Sequence, residues 1–213
     1  AALMINRYVS LGNRLTTPVL NAISPRYLCL LNETELNAID TDSLKTATLD
    51  PSACSQPTKD FLYNKAKRAF SDRHNSRAYY HLIKPYLGGA PGIDLKALGK
   101  DGVNMDIETF MKLNKEALLE LTPTEVKDLL GVNLRQLTAV QNESLVREWI
   151  QRQKQSELDK LNIGLSGGTP EGYINLVTPK FQTPSSAPLG AVAMVFHLLP
   201  ALLLSFLMVF VLS

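Results

Sequence analysis

The chain has 213 residues, 45% of them hydrophobic and 20% charged, which excludes full-length disorder and is enough for one sizeable core or a run of small helical units. Lys and Arg number 22 against 20 Asp and Glu, a formal net charge of +2, so no chain-wide electrostatic case for nucleic-acid binding survives. The averages hide a division, because Phe181 to Ser213 contains no Asp, Glu, Lys or Arg, and a polar body therefore carries an apolar tail.

In chain order, the first twenty residues hold no secretory signal. The longest early apolar stretch is Ala1 to Ile5, short of the roughly 7–15 residues such a signal needs. With no initiator Met, the chain reads as the C-terminal part of a longer precursor. Cys29 and Cys54 are the only cysteines and lie among turn-forming residues, so one disulfide in an oxidising compartment is the economical reading, with two free cytosolic thiols as the alternative. Two N-x-[ST] triplets, at Asn32 and Asn142, are candidate glycosylation sites and fit passage through the secretory route.

Helical spacing of Phe61, Leu62, Ala66, Ala69 and Phe70 predicts a helix over Pro57–Phe70, and Tyr79, Leu82, Ile83, Tyr86 and Leu87 predict a second over Ser76–Leu87. A third, over Asp106–Asn114, presents Ile107, Phe110 and Met111. Thr122-Pro123-Thr124-Glu125 is a capping box with Pro at the first helical position, and Gly131 closes that helix. A longer helix is predicted from Ser144 to about Leu161 on Leu145, Val146, Trp149, Ile150, Leu158 and Leu161. Gly and Pro punctuate the junctions and period-two alternation is almost absent, so the fold is expected to be all-α, with short helices stacked in antiparallel pairs. Leu31-Asn32-Glu33-Thr34-Glu35-Leu36 echoes Leu121-Thr122-Pro123-Thr124-Glu125-Val126, either as a repeat or as ordinary helix-start grammar.

Chemistry-bearing motifs are few. Gly164-Leu165-Ser166-Gly167-Gly168 fits G-x-S-x-G, yet a nucleophile elbow needs a strand before Ser166 and a helix after it, whereas a predicted helix precedes and Thr169-Pro170 follow. The only histidine downstream is His197, inside the tail. His74 and His81 have no cysteine beside them and fall short of zinc-ligand spacing, so no metal site, cofactor or catalytic residue is assigned. From Lys59 to Lys84 the basic residues Lys59, Lys65, Lys67, Arg68, Arg73, Arg77 and Lys84 oppose only Asp60 and Asp72. Outside a cell such a face would attract sialylated or sulfated glycans, or it is simply solvated.

The tail bears on the compartment. From Ala193 to Leu212 all residues but His197, Pro200 and Ser205 are apolar, and a helix of that length matches a ~30 Å hydrocarbon core. Only Ser213 follows, with no flanking Lys or Arg to fix an orientation. A terminal span after a small-residue cluster, here Ser185-Ser186-Ala187, is the pattern of a signal replaced by a glycosylphosphatidylinositol lipid, with Ser185 the best attachment residue. The spacer Pro188 to Val192 is shorter than the usual ~8–12 polar residues, and a retained transmembrane helix or a buried core helix are the alternatives.

Several stretches resemble the mesothelin family, to which otoancorin and stereocilin are related. They are Tyr27-Leu28-Cys29 with Cys54, Leu87-Gly88-Gly89-Ala90-Pro91 with Asp94-Leu95-Lys96-Ala97-Leu98, Met105-Asp106 with Thr109-Phe110-Met111-Lys112-Leu113, Glu125-Val126 with Leu129-Leu130-Gly131, Val146-Arg147 with Trp149-Ile150 and Arg152-Gln153, and Leu165 with Gly167-Gly168 and Gly172-Tyr173. The resemblance is to the C-terminal part of that family. It implies an all-α superhelical, solenoid-like array of short helices, and a lipid-anchored glycoprotein on the extracellular face of the cell membrane that acts in adhesion. It further implies a disulfide between Cys29 and Cys54, and an extracellular partner such as a large membrane mucin, bound by a region N-terminal to this chain. The implied layout is a helical body over 1–176, a linker with the attachment site over 177–190, and a removable hydrophobic signal over 191–213. The family's sequon before Thr109-Phe110-Met111-Lys112-Leu113 is broken here, since Met105-Asp106 follow Asn104, and Asn75-Ser76-Arg77 is no sequon. A hydrolase using Ser166 and a retained single-pass protein are the competing readings.

Overall fold

The computed structural model describes residues 2–74 and 78–172, and every side chain among them except that of Ala2. Contacts within the chain divide it into Ala1–Tyr173 and Ile174–Ser213; all described residues belong to the first unit, and the predicted tail helix lies outside them. Twelve α-helices follow one another among the described residues: α1 Ala2–Ser10, α2 Thr17–Ala22, α3 Pro25–Leu28, α4 Glu33–Asn37, α5 Gln56–Ala69, α6 Ala78–Ile83, α7 Gly92–Lys100, α8 Ile107–Met111, α9 Lys115–Leu119, α10 Pro123–Leu130, α11 Ser144–Arg152 and α12 Gln155–Asp159. Four 3₁₀ segments, Asp42–Lys45, Ser71–Arg73, Lys84–Gly89 and Gly131–Val140, fill the intervals. Extended pairing among these residues is confined to two isolated bridges, Leu15 with Ile39 and Lys154 with Thr169, so the fold is the expected all-α array of short helices.

Most helices are too short to stand alone, and their starts show what holds them. An apolar residue precedes the N-cap, and a second apolar residue four positions after the cap turns into the same core. Leu15 and Leu20 flank Thr16 in this way, Leu31 and Leu36 flank Asn32, Met105 and Phe110 flank Asp106, Leu113 and Leu118 flank Asn114, and Leu121 and Val126 flank Thr122, all ten buried. The same amide closes each turn: Leu36 N donates to Asn32 O at 2.8 Å, Phe110 N to Asp106 O at 3.0 Å and Leu118 N to Asn114 O at 2.9 Å. Side chains add the caps. Asn32 Oδ1 accepts from Glu35 N at 3.0 Å while Glu35 Oε2 accepts from Asn32 N at 3.0 Å, and Thr122 with Glu125 repeats the box. Hydrophobic staple and capping box thus fix the entry angle and satisfy the first free amides together. Both members of the sequence echo are therefore real helix starts of one kind.

The core runs as one cluster from Leu15 to Leu165. The longest helix, α5, packs against Lys84–Gly89, and a Cβ on Gly89 would fall inside the Lys59 carbonyl; only glycine lets these backbones approach so closely. Helix α7 lies on α10, with Gly99 against Leu129. Trp149 on α11 is completely buried and its Nε1 donates to Leu121 O at 2.8 Å, tying α11 to the start of α10.

Two predicted helices are shorter than expected. The Ser76–Leu87 helix becomes 3₁₀ at Lys84, because Pro85 has no amide to donate and disfavours α geometry in the residue before it. The Ser144–Leu161 helix is broken: Gln153 and Lys154 are extended, with ψ 154° and 138°. There the backbone pairs with the loop after α12, Thr169 N donating to Gln153 O at 2.8 Å and Gln155 N to Thr169 O at 2.9 Å.

Candidate functional site

Cys29, the residue that ends α3, and Cys54, next to the N-cap of α5, form a disulfide with Cα atoms 4.6 Å apart. Free cysteines are absent. The bond clasps the loop carrying α4 and the Asp42–Lys45 segment to the first turn of α5. Asn32 is exposed, and because its Oδ1 takes up the capping bond, its Nδ2 is left to solvent. Asn142 is exposed in the turn before α11. Ser185 and His197 lie outside the described residues. Among the described residues no helix is long and apolar enough to cross a membrane.

The four basic residues of α5 do not form one face, and Arg77 lies outside the described residues. Lys59, Lys65, Lys67 and Arg68 point in different directions around α5, as a 3.6-residue period requires. Lys65 Nζ donates to Leu36 O at 3.1 Å and Asn37 O at 2.9 Å, closing the C-terminal end of α4. Burial, then the nearby Arg68, hold the Lys65 ammonium below its ordinary pKa. Lys67 grips both oxygens of Asp94, at 2.8 and 2.7 Å, and Tyr63 Oη donates to the same carboxylate at 2.8 Å. Burial and that carboxylate push the Tyr63 phenol far above its usual range. Lys65 and Lys67 are thus structural ties.

Lys84 leads instead into a groove. Its Nζ lies 2.8 Å from Asp106 Oδ2. Partial burial raises the Asp106 carboxyl, but Lys84 and the amide and hydroxyl of Thr109 outweigh it and bring it down to about 2. On one side is a cavity of about 180 Å³ reached by Lys59, Lys84 and Lys112; on the other is an open cleft of about 990 Å³. His81 and Lys84 line both. The cleft wall from α6 is aromatic: His74 lies on Tyr79 with centroids 4.6 Å apart, and Tyr80 on His81 at 5.9 Å. Tyr80 Oη is shut off from solvent without a hydrogen bond of ordinary geometry, and burial pushes its phenol up to about 12. The opposite wall is the turn from Lys100 to Asn104. Asn104, in the left-handed region at φ 51°, accepts from Val132 N through Oδ1 at 3.1 Å and from Asn133 Nδ2 through its carbonyl at 2.9 Å. That wall is therefore held rigidly to the end of α10. Sequence reasoning missed this cleft, although the triplet Tyr79-Tyr80-His81 followed by Lys84 was its one signal.

The Gly164–Gly168 motif has another role. Ser166 is exposed on an irregular loop, with α12 before it and an isolated bridge after it, so the strand–turn–helix of a nucleophile elbow is not formed. Gln155 braces this loop, Nε2 donating to Leu165 O at 2.9 Å and Oε1 accepting from Gly168 N at 3.0 Å. A Cβ on Gly168 would lie 2.7 Å from Leu158 Cδ1, and Gly167 has φ 106°. The glycines serve loop packing on α12.

A family model described as Mesothelin matches residues 1–208. The chain is similar to mesothelin of Rattus norvegicus, 38% identical over 203 residues, which covers 92% of this chain and 32% of the relative. It is 35% identical over 214 residues to mesothelin of Mus musculus, covering 96% and 34%. A mesothelin-like protein of Homo sapiens is 31% identical over 185 residues, covering 79% of this chain and 26% of its own length. The chain spans about a third of the length of the curated mesothelins it matches.

Proposed function

Because this chain belongs to the mesothelin family, we propose that it is a non-enzymatic, glycosylphosphatidylinositol-anchored glycoprotein of the extracellular cell surface, acting in adhesion. The observation that carries this reading is the charge-free stretch from Phe181 to Ser213, with the small residues Ser185-Ser186-Ala187 near its start, which matches a signal exchanged for a lipid at Ser185. Three features support it. The Cys29–Cys54 disulfide belongs to an oxidising compartment. Asn32 and Asn142 are exposed and open to glycan attachment. The body is an array of short helices. Adhesion and its partner, an extracellular protein such as a large membrane mucin, are proposed for the whole protein, of which the present chain corresponds to about a third.

Release from intact cells by a phosphatidylinositol-specific phospholipase tests the anchor. Mass spectrometry of the mature C-terminal peptide is expected to find a glycolipid on Ser185 and none of Phe206 to Ser213. A protein that resists the phospholipase and keeps Phe206 is instead a retained single-pass protein, the reading favoured by the short spacer from Pro188 to Val192. Replacing Ser166 by alanine is expected to change neither fold nor binding; loss of a hydrolytic turnover would establish an enzyme.

A further inference from the structure

We propose that an N-linked glycan on Asn32 is a structural part of the fold: its first sugar ring lies on the exposed Tyr27–Leu30 surface and holds the turn from α3 into α4. The proposal rests on the glycoprotein reading above for the presence of that sugar. Tyr27 is 38% and Leu30 64% exposed, and Leu30 N donates to Tyr27 O at 3.1 Å. Two large apolar side chains three residues apart thus sit on one side of the turn that ends α3. A single exposed apolar residue is ordinary, whereas adjacent ones mark a surface that something covers. The next residue, Leu31, is buried, and Asn32 returns to solvent. By that alternation Leu30 and Asn32 share a side, with Cα atoms at most ~7 Å apart, within reach of a ring carried by the Asn32 side chain.

The helix cap aims the sugar. Asn32 Oδ1 accepts from Glu35 N at 3.0 Å, and because the side-chain amide is planar, fixing its oxygen also fixes Nδ2. Transfer from a lipid-linked oligosaccharide diphosphate forms the bond from Nδ2 to C1 of the first N-acetylglucosamine. The bond from C1 to the diphosphate oxygen breaks, and one Nδ2 proton is released to solvent. Oδ1 keeps both lone pairs and the cap survives. The ring therefore leaves the start of α4 in one direction, and its C–H face can remove Leu30 and the edge of Tyr27 from water. Asn142 differs, since its chain neighbours Gln141 and Glu143 are polar and offer a sugar no apolar support.

The test uses the full chain made in cultured animal cells, purified in detergent and trimmed by an endoglycosidase to one N-acetylglucosamine per site. Thr34→Ala, at an exposed position, removes the sequon and leaves the Asn32 cap in place. Hydrogen exchange at the Leu36 and Ala38 amides is expected to be about three- to tenfold faster in Thr34→Ala than in the trimmed protein, the size of one ring contact. In a background carrying Tyr27→Ser with Leu30→Ser, the same removal is expected to change exchange by less than about twofold, because the cycle cancels what Thr34→Ala does by itself. Ser144→Ala, which removes the Asn142 sequon, is expected to leave both amides unchanged. Equal acceleration in the two backgrounds overturns the proposal, as does no acceleration in either. Protection that trimming to one sugar abolishes overturns it too. So does a glycosylated dimer that Tyr27→Ser with Leu30→Ser dissolves, which would put a second copy on this surface. Mass spectrometry of the untrimmed protein separates the two readings. An empty Asn32 beside an occupied Asn142 overturns this proposal and leaves the glycoprotein reading standing, whereas two empty sites overturn both.

Discussion

The disulfide gives the sharpest test of how stability is distributed. It closes a loop of sequence separation 25, and the chain-entropy relation assigns such a loop about 3.5 kcal/mol at 25 °C. In an array whose units touch mainly their neighbours, that stabilisation belongs to the units the loop contains, α4 and the Asp42–Lys45 segment, and fades along the stack. Replacing both Cys29 and Cys54 by alanine removes the link without leaving a lone thiol. Hydrogen exchange read by mass spectrometry then reports each helix separately. The amides of Leu36 and Ala38, bonded to Asn32 O and Thr34 O at 2.8 and 3.1 Å, are expected to exchange roughly 300-fold faster, the equivalent of that loss. Those of Val126 and Arg147, bonded to Thr122 O and Glu143 O at 3.0 and 2.9 Å, are expected to change by less than about threefold. An equal acceleration at all four sites would refute the local account, and less than about tenfold at Leu36 would refute the magnitude.

Other perturbations probe single contacts. Trp149→Phe leaves Leu121 O without its donor and opens a void in the core, an expected loss of about 3 kcal/mol in urea melts followed by far-UV circular dichroism; a loss under about 1 kcal/mol would mean the bond is dispensable. Gly89→Ala forces a methyl into the Lys59 carbonyl and is expected to cost about 3 kcal/mol or more, with α5 the helix that loosens; unchanged stability would show that α5 and the 3₁₀ segment are not in contact. Asp106→Asn keeps a capping oxygen but loses the charge facing Lys84. The folded carboxyl titrates near 2, below its ordinary 3.8, so its contribution is complete above about pH 4 and disappears as pH falls from 4 to 2. The side chain is 41% exposed and solvent screens the pair, which limits the expected loss at pH 7 to about 1 kcal/mol. Thermal melts of the variant should be flatter than wild type between pH 4 and pH 2, and parallel curves would refute the assignment.

Legibility from sequence followed the locality of the signal. Helix α10 was readable to the residue because Thr122, Pro123, Glu125 and Gly131 state its start and stop in covalent neighbours, and α5 because fourteen residues hold several full turns of apolar spacing. The break between α11 and α12 was not, since it depends on Thr169, a partner beyond the helix that competes for the backbone of Gln153 and Gln155. A hint was present in Gln153 and Lys154, which stand where a continuous helix would need an apolar residue. Pairing within the basic run was hidden for a similar reason: charge counted along the chain ignores Asp94 and Asp106, which the fold brings to Lys67 and Lys84. The cleft joins α6 to a turn some twenty residues on, and no local pattern encodes that meeting.

One longer pattern was legible in principle. Leu15, Leu31 and Ile39 are buried, with Ile23 half-buried between them, and Leu20, Leu28, Leu36 and Leu44 are buried in parallel. Met105, Leu113, Leu121, Leu129 and Leu137 repeat the spacing, accompanied by Phe110, Leu118, Val126 and Leu134. Every step is eight residues. Eight is no multiple of the 3.6-residue period, and one apolar residue in eight is too sparse to register as strand alternation, so a search for amphipathic helices or strands passes over it. Its meaning is structural: one unit contains an apolar residue, a cap, about a turn and a half of helix and an exit. Such a helix is far below the ~12–15 residues at which isolated helices begin to persist in water, so each unit is ordered only by the core it shares with the next. Order passed from neighbour to neighbour is what makes the disulfide's effect local.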